Sequence, residues 1–277
     1  MKRVAMLLTC HNRREKTKRC LDTLLTDLGP EIRADVIAAD SDSDDGTPDM
    51  LKEYKNPAGK IILIHVSGKL FWNGGMRVAM SHAAKRRKLY DYVLLVNDDV
   101  EFYPGALEAL IKRLEDIKAD AVAGSTVWHD GRQSYGGVKK SSKYLARFEL
   151  IPPSEEPVLC DTFNCNCLLV TMECFIAMGN LDRRYVHSMG DYDYGLRMKA
   201  KGRIVVNAAA HSGVCDDNDV KGSWRDTGLT RTERLKKKES PGGLPAADWF
   251  HFVHKNYSLP AALYHSVTPY VRILLGK

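Results

Sequence analysis

The amino-acid sequence predicts an α/β protein whose core is a mostly parallel, doubly wound sheet. Short apolar runs rich in β-branched residues alternate with segments of helical periodicity through the first half of the 277 residues. Polar and acidic clusters follow several of these runs directly, as expected where the carboxyl ends of parallel strands meet. The chain contains 44% hydrophobic and 27% charged residues, which excludes a disordered or fibrous protein.

The strands and helices of the first half can be assigned in order along the chain. Apolar, β-branched runs predict strands at residues 4–9, 36–39, 61–66, 92–96 and 121–127. Apolar stripes at helical spacing predict helices that include residues 20–28, 76–83 and 107–114. Gly29-Pro30 ends the first of these helices, and Pro104 is well placed to begin the third. Each stripe is expected to pack against the sheet.

The second half of the chain alternates less regularly. The pattern predicts a strand at 159–171, a helix at 191–201 and a further strand at 204–206. We expect residues 1–127 and 128–217 to be two halves of one domain, of which the second shapes a second substrate site. Residues 218–277 turn basic and then aromatic, and we expect them to form a helical extension that begins with a loop or hinge.

Charge and cysteine content narrow the class of protein further. Lys and Arg outnumber Asp and Glu by 41 to 35, and this balance of +6 suits a phosphate-bearing ligand or an anionic membrane surface, but also an ordinary solvated surface. No apolar run approaches the ~18 residues that a membrane-spanning helix needs, which argues against an integral membrane protein. The seven cysteines include no Cys-x-x-Cys pair, so we expect reduced thiols in the cytoplasm.

Four polar clusters follow predicted strands and should meet in one crevice. They are Thr9–Arg13, Asp40–Thr47, Phe71–Gly75 and Asn97–Asp99. The adjacent carboxylates Asp98 and Asp99 follow a buried strand, where they are costly unless they bind a cation such as a hard divalent metal. The alternative is that they only cap the turn before Pro104. The chain has neither G-x-G-x-x-G nor a P-loop, so a diphosphate would have to be held in another way, such as a metal bridge.

Two of these clusters offer further ligand contacts. Asp40 ends an apolar strand, where its carboxylate can accept a hydrogen bond from a nucleobase imide or a ribose hydroxyl. The segment 72–77 is expected to lie before a helix, and its glycines allow close backbone approach of a sugar or phosphate. Arg77 could neutralise phosphate charge, although an exposed helix arginine is the commoner case. Farther along, Asp193 and Arg197 are expected to form an i,i+4 ion pair.

The order of four motifs resembles that of family 2 glycosyltransferases. The motifs are Thr-Cys-His-Asn-Arg at 9–13, Asp-x-x-Ser-x-Asp-Gly-Thr at 40–47, Asn-Asp-Asp at 97–99 and Gly-Asp-Tyr-Asp-Tyr-Gly-Leu-Arg at 190–197. The resemblance covers roughly residues 3–215 and implies the GT-A fold. Stretches at 161–167, at 179–182 and from Trp224 onward resemble the branch that builds bacterial surface polysaccharides, including rhamnosyltransferases. The chain departs from the pattern at Asn97, where the family has the first acid of Asp-x-Asp, and at Gly190, where many members have Glu.

The resemblance also implies a reaction. An inverting, metal-dependent glycosyltransferase would move a sugar from a nucleoside-diphosphate sugar, UDP- or dTDP-linked, to a saccharide or lipid-linked saccharide, with Mn²⁺ or Mg²⁺ as cofactor. The product would belong to a surface polysaccharide such as lipopolysaccharide. No nucleic acid partner is implied. The protein would act in the cytoplasm, at the inner face of the cell membrane.

Residue roles follow from matching the motifs position by position. Asp191 takes the place of the catalytic base, with a helix cap as the alternative. Asp99 takes the place of the metal ligand, and His211 matches a further metal-ligating position in some members, although a lone His near a strand end is as often an ordinary polar residue. Asp40 would hold the base or ribose, and Asp98 would lie near the ribose or metal. The donor-binding residues implied in this way are Thr9, His11, Asn12, Arg13, Asp40, Trp72, Asn73, Gly74, Gly75, Arg77, Asn97 and Asp98.

The C-terminal extension and the class of function leave alternatives open. Cationic residues at 231–238 and apolar and aromatic residues at 264–275 fit either peripheral membrane contact or a basic helix followed by a docking or dimerisation segment. A non-catalytic nucleotide- or nucleic-acid-binding module is the alternative function, but acidic groups crowd the predicted crevice, where phosphate backbones would need Lys and Arg. A nucleotidyltransferase is a third class, without a Gly-rich, Arg-containing signature after the first strand to support it.

Overall fold

The computed structural model describes residues 1–26, 28–215 and 220–277, and all bounds below refer to these ranges. The strands are β1 (Lys2–Cys10), β2 (Ile32–Ser41), β3 (Ile61–Val66), β4 (Tyr92–Val96), β5 (Glu101–Phe102), β6 (Ala121–Val127), β7 (Gln133–Tyr135), β8 (Gly137–Lys140), β9 (Phe148–Leu150), β10 (Thr162–Phe163), β11 (Cys167–Thr171) and β12 (Val205–Val214). The helices are α1 (Arg14–Leu25), α2 (Thr47–Glu53), α3 (Phe71–Lys85), α4 (Ala106–Ile117), α5 (Met172–Met178), α6 (Gly190–Ala200), α7 (Arg231–Lys238), α8 (Ala246–Asn256) and α9 (Leu259–Leu274).

Six strands of the main sheet run in the same direction. The strand order is β3-β2-β1-β4-β11-β6-β12-β5, with β7 paired to β6, and a small second sheet has the order β10-β8-β9. β1 pairs in parallel with β2 and β4, β2 with β3, and β6 with β12. β11 is inserted antiparallel between β4 and β6. The predicted α/β class and doubly wound, mostly parallel sheet are confirmed, and β11 is the antiparallel addition.

Hydrophobic cores cover both faces of the sheet. Because side chains alternate along a strand, Met6 and Leu8 of β1 face one core, while Leu7 faces the other. The first core contains the apolar stripes of α1 and α4, and the second contains those of α3 and α5. The helical stripes predicted from the sequence are therefore the faces that pack on the sheet.

Two elements differ from the sequence prediction. The run 159–171 is not one strand, because β10 belongs to the small sheet and β11 to the main sheet. α3 begins at Phe71, so the segment 72–77 lies in its first two turns instead of before the helix. The glycines there serve close packing: a Cβ at Gly75 would lie 2.3 Å from Thr9 Oγ1 on β1.

The C-terminal helices contact the rest of the protein through α8 and through α9, where His265 Nε2 accepts from the backbone N–H of Ala146 at 3.0 Å. Phe252 of α8 is fully buried in a cluster with Tyr185 and Leu196 of the preceding half. α7 begins with a capping box formed by Thr230 and Glu233. None of the described helices is long and apolar enough to cross a membrane. The boundary predicted between residues 217 and 218 lies outside the described residues, so the division into a main domain and an extension stays a proposal.

Candidate active site

A cleft of about 450 Å³ opens at the carboxyl ends of β1, β2 and β4. Each of the four polar clusters at the strand ends contributes to its lining, and the segments 164–166 and 187–192 complete the wall. Of the site residues predicted from the sequence, those that line it are Thr9, His11, Arg13, Trp72, Asn97, Asp98, Asp99 and Asp191. The topology thus brings polar groups from distant parts of the chain into one cavity.

The paired carboxylates Asp98 and Asp99 lie just beyond β4. Asp98 is 4% exposed, and burial raises its pKa to about 6, although the charge of Arg13 opposes that shift. Arg13 Nη1 lies 3.1 Å from Asp98 Oδ1 and 2.8 Å from Asp99 Oδ2. Thr17 Oγ1 donates to Asp98 Oδ2 at 3.3 Å, and Cys215 Sγ donates to Asp99 Oδ1 at 3.6 Å. Two carboxylates this close need a positive charge beside them, and here Arg13 provides one.

The two carboxylates fit a hard divalent cation that is shared with a substrate. Mg²⁺ and similar ions are held by one or two carboxylates, and water and substrate phosphates fill the remaining positions. Within the described ranges, no group of three or more His, Cys, Asp or Glu side chains could form a closed protein cage for a metal. Asp98 and Asp99 therefore suit a cation that bridges to a diphosphate better than a purely structural ion.

His211 lies away from these carboxylates, on β12. Its Nδ1 is 3.0 Å from Ser125 Oγ, and the two residues are paired between β12 and β6. Burial lowers its pKa, which favours the neutral ring. Among the described residues that line the cleft, His211 is absent. His211 therefore does not line the cleft with Asp99; its described contact is with Ser125, and its role as a metal ligand stays a prediction.

The end of β1 is tied to the end of β2. His11 Nδ1 lies 2.6 Å from the carbonyl oxygen of Ser41. Asn12 has a left-handed φ of 51°, and its backbone N–H donates to Ser43 Oγ at 2.9 Å. Its side-chain oxygen accepts from the backbone N–H of Asp44 at 2.8 Å. His11 and Asn12 thus join the loop that follows β1 to the loop that follows β2, and this junction supports the cleft.

Asp40 is the second-last residue of β2, next to this junction. Its side chain is 1% exposed. One carboxylate oxygen is 3.6 Å from His65 Nδ1 and accepts from the backbone N–H of Ser43 at 3.4 Å, while the other accepts from Cys10 Sγ at 3.7 Å. Its neighbours Cys10 and Ser41 line the cleft. The carboxylate is therefore placed directly behind the cleft wall.

Asp191 lies in the first turn of α6 and lines the cleft. Its Oδ1 accepts from the backbone N–H of Tyr192 at 2.8 Å, and its Oδ2 accepts from that of Cys165 at 3.5 Å. Burial raises its pKa to about 6, and these backbone donors only partly offset the effect. The N-cap of α6 is Met189, so Asp191 is not the capping residue. A carboxylate with a pKa near 6 is ionised at neutral pH and basic enough to take a proton from a hydroxyl group.

Asp193 anchors the helix that carries Asp191. The predicted ion pair with Arg197 is confirmed, with Arg197 Nε 3.1 Å from Asp193 Oδ2. Asp193 is fully buried, and Lys255 Nζ of α8 lies 2.8 Å from its Oδ1. The hydroxyl of Tyr185 donates to the same oxygen at 3.3 Å. A buried carboxylate with this many partners fixes α6 against α8.

Four of the predicted donor-binding residues lie within α3 and are absent from the described cleft lining: Asn73, Gly74, Gly75 and Arg77. Asn73 is fully buried, and its Nδ2 donates to the carbonyl oxygens of Asp182 at 3.0 Å and Tyr185 at 2.6 Å. Arg77 Nε donates to the carbonyl oxygen of Leu181 at 3.0 Å. The structure thus gives Asn73 and Arg77 a different position from the one expected. They hold the segment that leads into Asp191.

Sequence reasoning assigned no role to two groups of residues that line the cleft. They are Asn164, Cys165 and Asn166, and His187, Ser188 and Met189. The first group follows β10, and the second immediately precedes α6. The second group could have been predicted from the sequence, because its residues lie just before Asp191. Residues that flank a catalytic carboxylate at the start of a helix usually line the same cavity.

The mixed sheet, the carboxylates after β4 and the carboxylate on α6 together define a GT-A glycosyltransferase fold. Solved structures with this fold include TarS 1-349 of S. aureus in complex with UDP-GlcNAc, with a TM-score of 0.58 and 14% identity, covering 100% of this chain and 72% of that one. Another is the mannosyltransferase PcManGT from Pyrobaculum calidifontis in complex with GDP-Man and Mn²⁺, with a TM-score of 0.58 and 15% identity, covering 98% and 74%.

The chain belongs to glycosyl transferase family 2. The model of that family matches residues 6–169. A curated relative, the N-acetylglucosaminyl-diphospho-decaprenol L-rhamnosyltransferase of Mycobacterium tuberculosis, is 24% identical over 206 residues. The matched region is 65% of this chain and 65% of the relative, slightly under two thirds of that protein's length.

Proposed function

We propose that this protein is an inverting, metal-dependent glycosyltransferase that moves a sugar from a nucleoside-diphosphate sugar to a saccharide or lipid-linked saccharide. The observation that carries this proposal is the one cleft that contains Asp98, Asp99 and Asp191. The first two fit a cation and a diphosphate, and the third fits a general base. Membership of glycosyl transferase family 2 supports the reaction class.

The proposed reaction is a single displacement at the anomeric carbon. Asp191 takes the proton of the acceptor hydroxyl while that oxygen bonds to the anomeric carbon, and the bond from this carbon to the diphosphate oxygen breaks on the opposite face. The configuration inverts, Asp191 ends protonated, and the nucleoside diphosphate departs. Mn²⁺ or Mg²⁺ held by Asp99, with Asp98 beside it, would stabilise the negative charge of the leaving diphosphate. Arg13 lies close enough to both carboxylates to add positive charge there.

For the donor, we propose a UDP- or dTDP-sugar. The family motif assigns the base or ribose to Asp40, and its neighbours Cys10 and Ser41 line this side of the cleft, although the Asp40 carboxylate itself is 1% exposed behind them. Thr9 and His11 line the same side. Solved structures with the same fold contain UDP-GlcNAc and GDP-Man, which supports a nucleoside-diphosphate sugar as donor without distinguishing the base.

For the acceptor, we propose a lipid-linked saccharide used in surface polysaccharide synthesis. The name of the Mycobacterium tuberculosis relative specifies such an acceptor. α9 offers a surface for lipid: it has an apolar stripe at every fourth position, each residue at least 43% exposed. The stripe comprises Leu259, Leu263, Val267 and Val271 of α9 and Leu275, the C-cap of that helix. The charged residues between Ser258 and Lys277 are Arg272 and Lys277, and Glu239 of the preceding segment accepts a hydrogen bond from the hydroxyl of Tyr270 on α9. Such a surface fits an anionic membrane, and we infer that the protein acts in the cytoplasm, at the inner face of the cell membrane.

Co-sedimentation with lipid vesicles tests the membrane contact. Wild type should bind vesicles that contain anionic phospholipid more strongly than purely zwitterionic ones. The double change Leu263→Ser and Val267→Ser should reduce that binding, because it removes two of the exposed apolar side chains. Tyr144→Ser, at a residue that is 81% exposed outside the C-terminal helices, is the matched control. Equal binding by the double variant and the control would contradict the contact.

Thermal stabilisation by nucleotides tests the transferase itself. UDP, dTDP and GDP and their sugars would be added singly, with Mn²⁺, with Mg²⁺ or with a chelator, because a ligand that binds the folded state raises the melting temperature. We expect at least one nucleotide to stabilise the protein more with metal than with chelator, and Asp99→Asn to remove the difference. Asp116→Asn, on the exposed side of α4, is the control. No stabilisation by any of these nucleotides, or full turnover in excess chelator, would overturn the proposal.

A further inference from the structure

Phe71, the first residue of α3, has an unusual backbone conformation. Its φ is 50° and its ψ is −166°, a region that glycine occupies readily and that side-chain-bearing residues rarely adopt. The ring is nevertheless 38% exposed and lines the cleft. The fold therefore holds a large aromatic side chain toward the cavity in a strained conformation, which is typical of positions that contact a ligand.

His187 lines the same cleft and has an unused hydrogen-bonding atom. Its Nδ1 is buried and makes no hydrogen bond with any of the described residues. Burial, together with the nearby charge of Arg13, lowers its pKa, which favours the neutral ring. A buried polar atom without a partner is costly. Because surrounding atoms cover Nδ1, a ligand hydroxyl can bond to it only after the imidazole ring turns toward the cleft, and that bond would remove the cost.

The two side chains face each other across the cleft wall. Their ring centroids are 6.4 Å apart, and the planes are perpendicular at 89°. Phe71 precedes Trp72, whose Nε1 donates to Asn97 Oδ1 at 2.8 Å, beside the paired carboxylates. His187 lies four residues before Asp191 in the chain. Phe71 is therefore adjacent in the chain to the residue that contacts Asn97, near the proposed diphosphate site. His187 belongs to the segment that leads to the catalytic base Asp191.

We propose that Phe71 and His187 form the subsite for the donor sugar and determine which sugar is accepted. During transfer the sugar has to lie between the diphosphate and the catalytic base Asp191. Phe71 and His187 line this part of the cleft wall. An aromatic ring packs on the apolar C–H face of a pyranose, and His187 Nδ1 hydrogen-bonds one of the sugar hydroxyls. This inference rests on the proposed function, and it names two residues that contact the sugar and not the nucleotide.

Binding measurements on matched ligands separate these contacts. Calorimetric titrations with Mn²⁺ would compare a nucleoside diphosphate with the sugar nucleotide that gives the largest thermal stabilisation. For wild type the sugar should add affinity. His187→Ala should lose about 5- to 30-fold in affinity for the sugar nucleotide, as expected when one buried hydrogen bond is lost, and should bind the bare diphosphate within about twofold of wild type. His187→Asn, which keeps a nitrogen donor near the position of Nδ1, should recover part of the loss.

Changes at Phe71 supply an independent check. Phe71→Gly removes the ring and the backbone strain together, so it should weaken sugar-nucleotide binding while the melting temperature without ligand stays the same or rises. A merely structural ring would instead lower the melting temperature. His254→Ala, at an exposed histidine of α8, is the control for handling and folding.

The outcomes separate this inference from the proposed function. If wild type binds no nucleotide at all, the transferase proposal itself fails. If nucleotides bind but the sugar adds no affinity, or if the variants weaken diphosphate and sugar nucleotide equally, the sugar subsite is wrong and the transferase stands. Selective loss of the sugar contribution in His187→Ala and Phe71→Gly would support the subsite.

Discussion

Asp191 combines two properties at one residue, since it lines the cleft and has a pKa raised to about 6 by burial. We expect Asp191→Asn to lower the rate of transfer by about 10²- to 10⁴-fold, the usual contribution of a general base. Nucleotide binding should remain close to wild type, because Asp191 is separate from the paired carboxylates. Single-turnover rates and calorimetric titration of the same preparation check this prediction. A variant with wild-type turnover would remove Asp191 from the mechanism.

The pH dependence of transfer should report this carboxylate. Asp191 acts in its ionised form, so kcat at saturating donor and metal should fall about tenfold per pH unit below pH about 6 and level off above it. Asp98 lines the same cleft, and burial raises its pKa to about 6 as well, so its ionisation contributes to the same fall in rate; Arg13 stays positively charged, and the lowered pKa of His187 favours its neutral ring. The measurement is a pH–rate profile from pH 5 to 8. A rate that is flat across this range would contradict the assignment.

The same group should affect stability with the opposite dependence on pH. The folded protein holds the proton of Asp191 to a higher pH than the unfolded chain does, so its contribution to stability is lost as the pH rises from about 4 to about 6. Relative to wild type, Asp191→Asn should therefore gain about 1–3 kcal/mol between pH 4 and pH 7. Urea unfolding at the two pH values measures the gain, and a constant difference between the two proteins would show that the carboxyl is not buried as described.

Sequence reasoning reached Asp98, Asp99 and Arg13 because strand ends and motif order both pointed to them, and it reached Asp191 from motif order alone. It misplaced the roles of Asn73 and Arg77, since a glycine-rich stretch after a strand is typical of a ligand-binding turn. Their actual partners are carbonyl oxygens more than 100 residues away. Hydrogen bonds of that kind leave no periodicity or composition in the local sequence.

At the scale of elements, α3 and α6 meet at Asn73 and Gly190. A Cβ at Gly190 would lie 2.0 Å from Asn73 Oδ1, so the glycine is required by close approach. We expect Gly190→Ala to cost about 1–3 kcal/mol by overpacking, and Asn73→Ala to cost a similar amount through lost hydrogen bonds. The double variant should cost less than the sum, because Asn73→Ala removes the atom with which the new methyl group collides.

A double-mutant cycle by urea denaturation measures this coupling. Gly242→Ala combined with Asn73→Ala is the control, since a Cβ at Gly242 meets nothing within 4 Å and the two sites should be additive. Additive costs at Asn73 and Gly190 would contradict the close contact. In this chain a longer side chain at position 190 has no room beside Asn73.

At the scale of the whole molecule, α8 should be part of the cooperative structure. Phe252 is fully buried, and its ring stacks on Trp249 with centroids 5.5 Å apart. We expect Phe252→Ala to cost about 3–5 kcal/mol and to shift one common unfolding transition, because the cluster around Phe252 includes Tyr185 and Leu196. Circular dichroism and tryptophan fluorescence should give the same midpoint. His254→Ala, exposed on the same helix, should leave it unchanged; two separate transitions would instead show that the extension unfolds independently.

The sequence was sufficient for the overall class and for most of the main sheet. Five strands of the first half could be predicted from their short apolar, β-branched runs. The stripes of α1, α3 and α4 could be predicted from apolar residues at helical spacing. The antiparallel insertion of β11 between β4 and β6, and the packing of α8 on α6, were not readable. Both depend on pairing between distant segments, which is decided by the tertiary structure and not by local pattern.

The contact between Lys255 and Asp193 joins residues 62 positions apart in the chain. It therefore affects the order in which parts of the protein can fold during synthesis. A ribosome releases the N-terminal strands first, and domains fold as their residues emerge. β1 to β4 can pair early, whereas α6 gains its buried ion pair with α8 only after residue 255 has left the exit tunnel. Under the proposed mechanism, a nascent chain would assemble its nucleotide half before the helix that carries the catalytic base Asp191 is fixed in place.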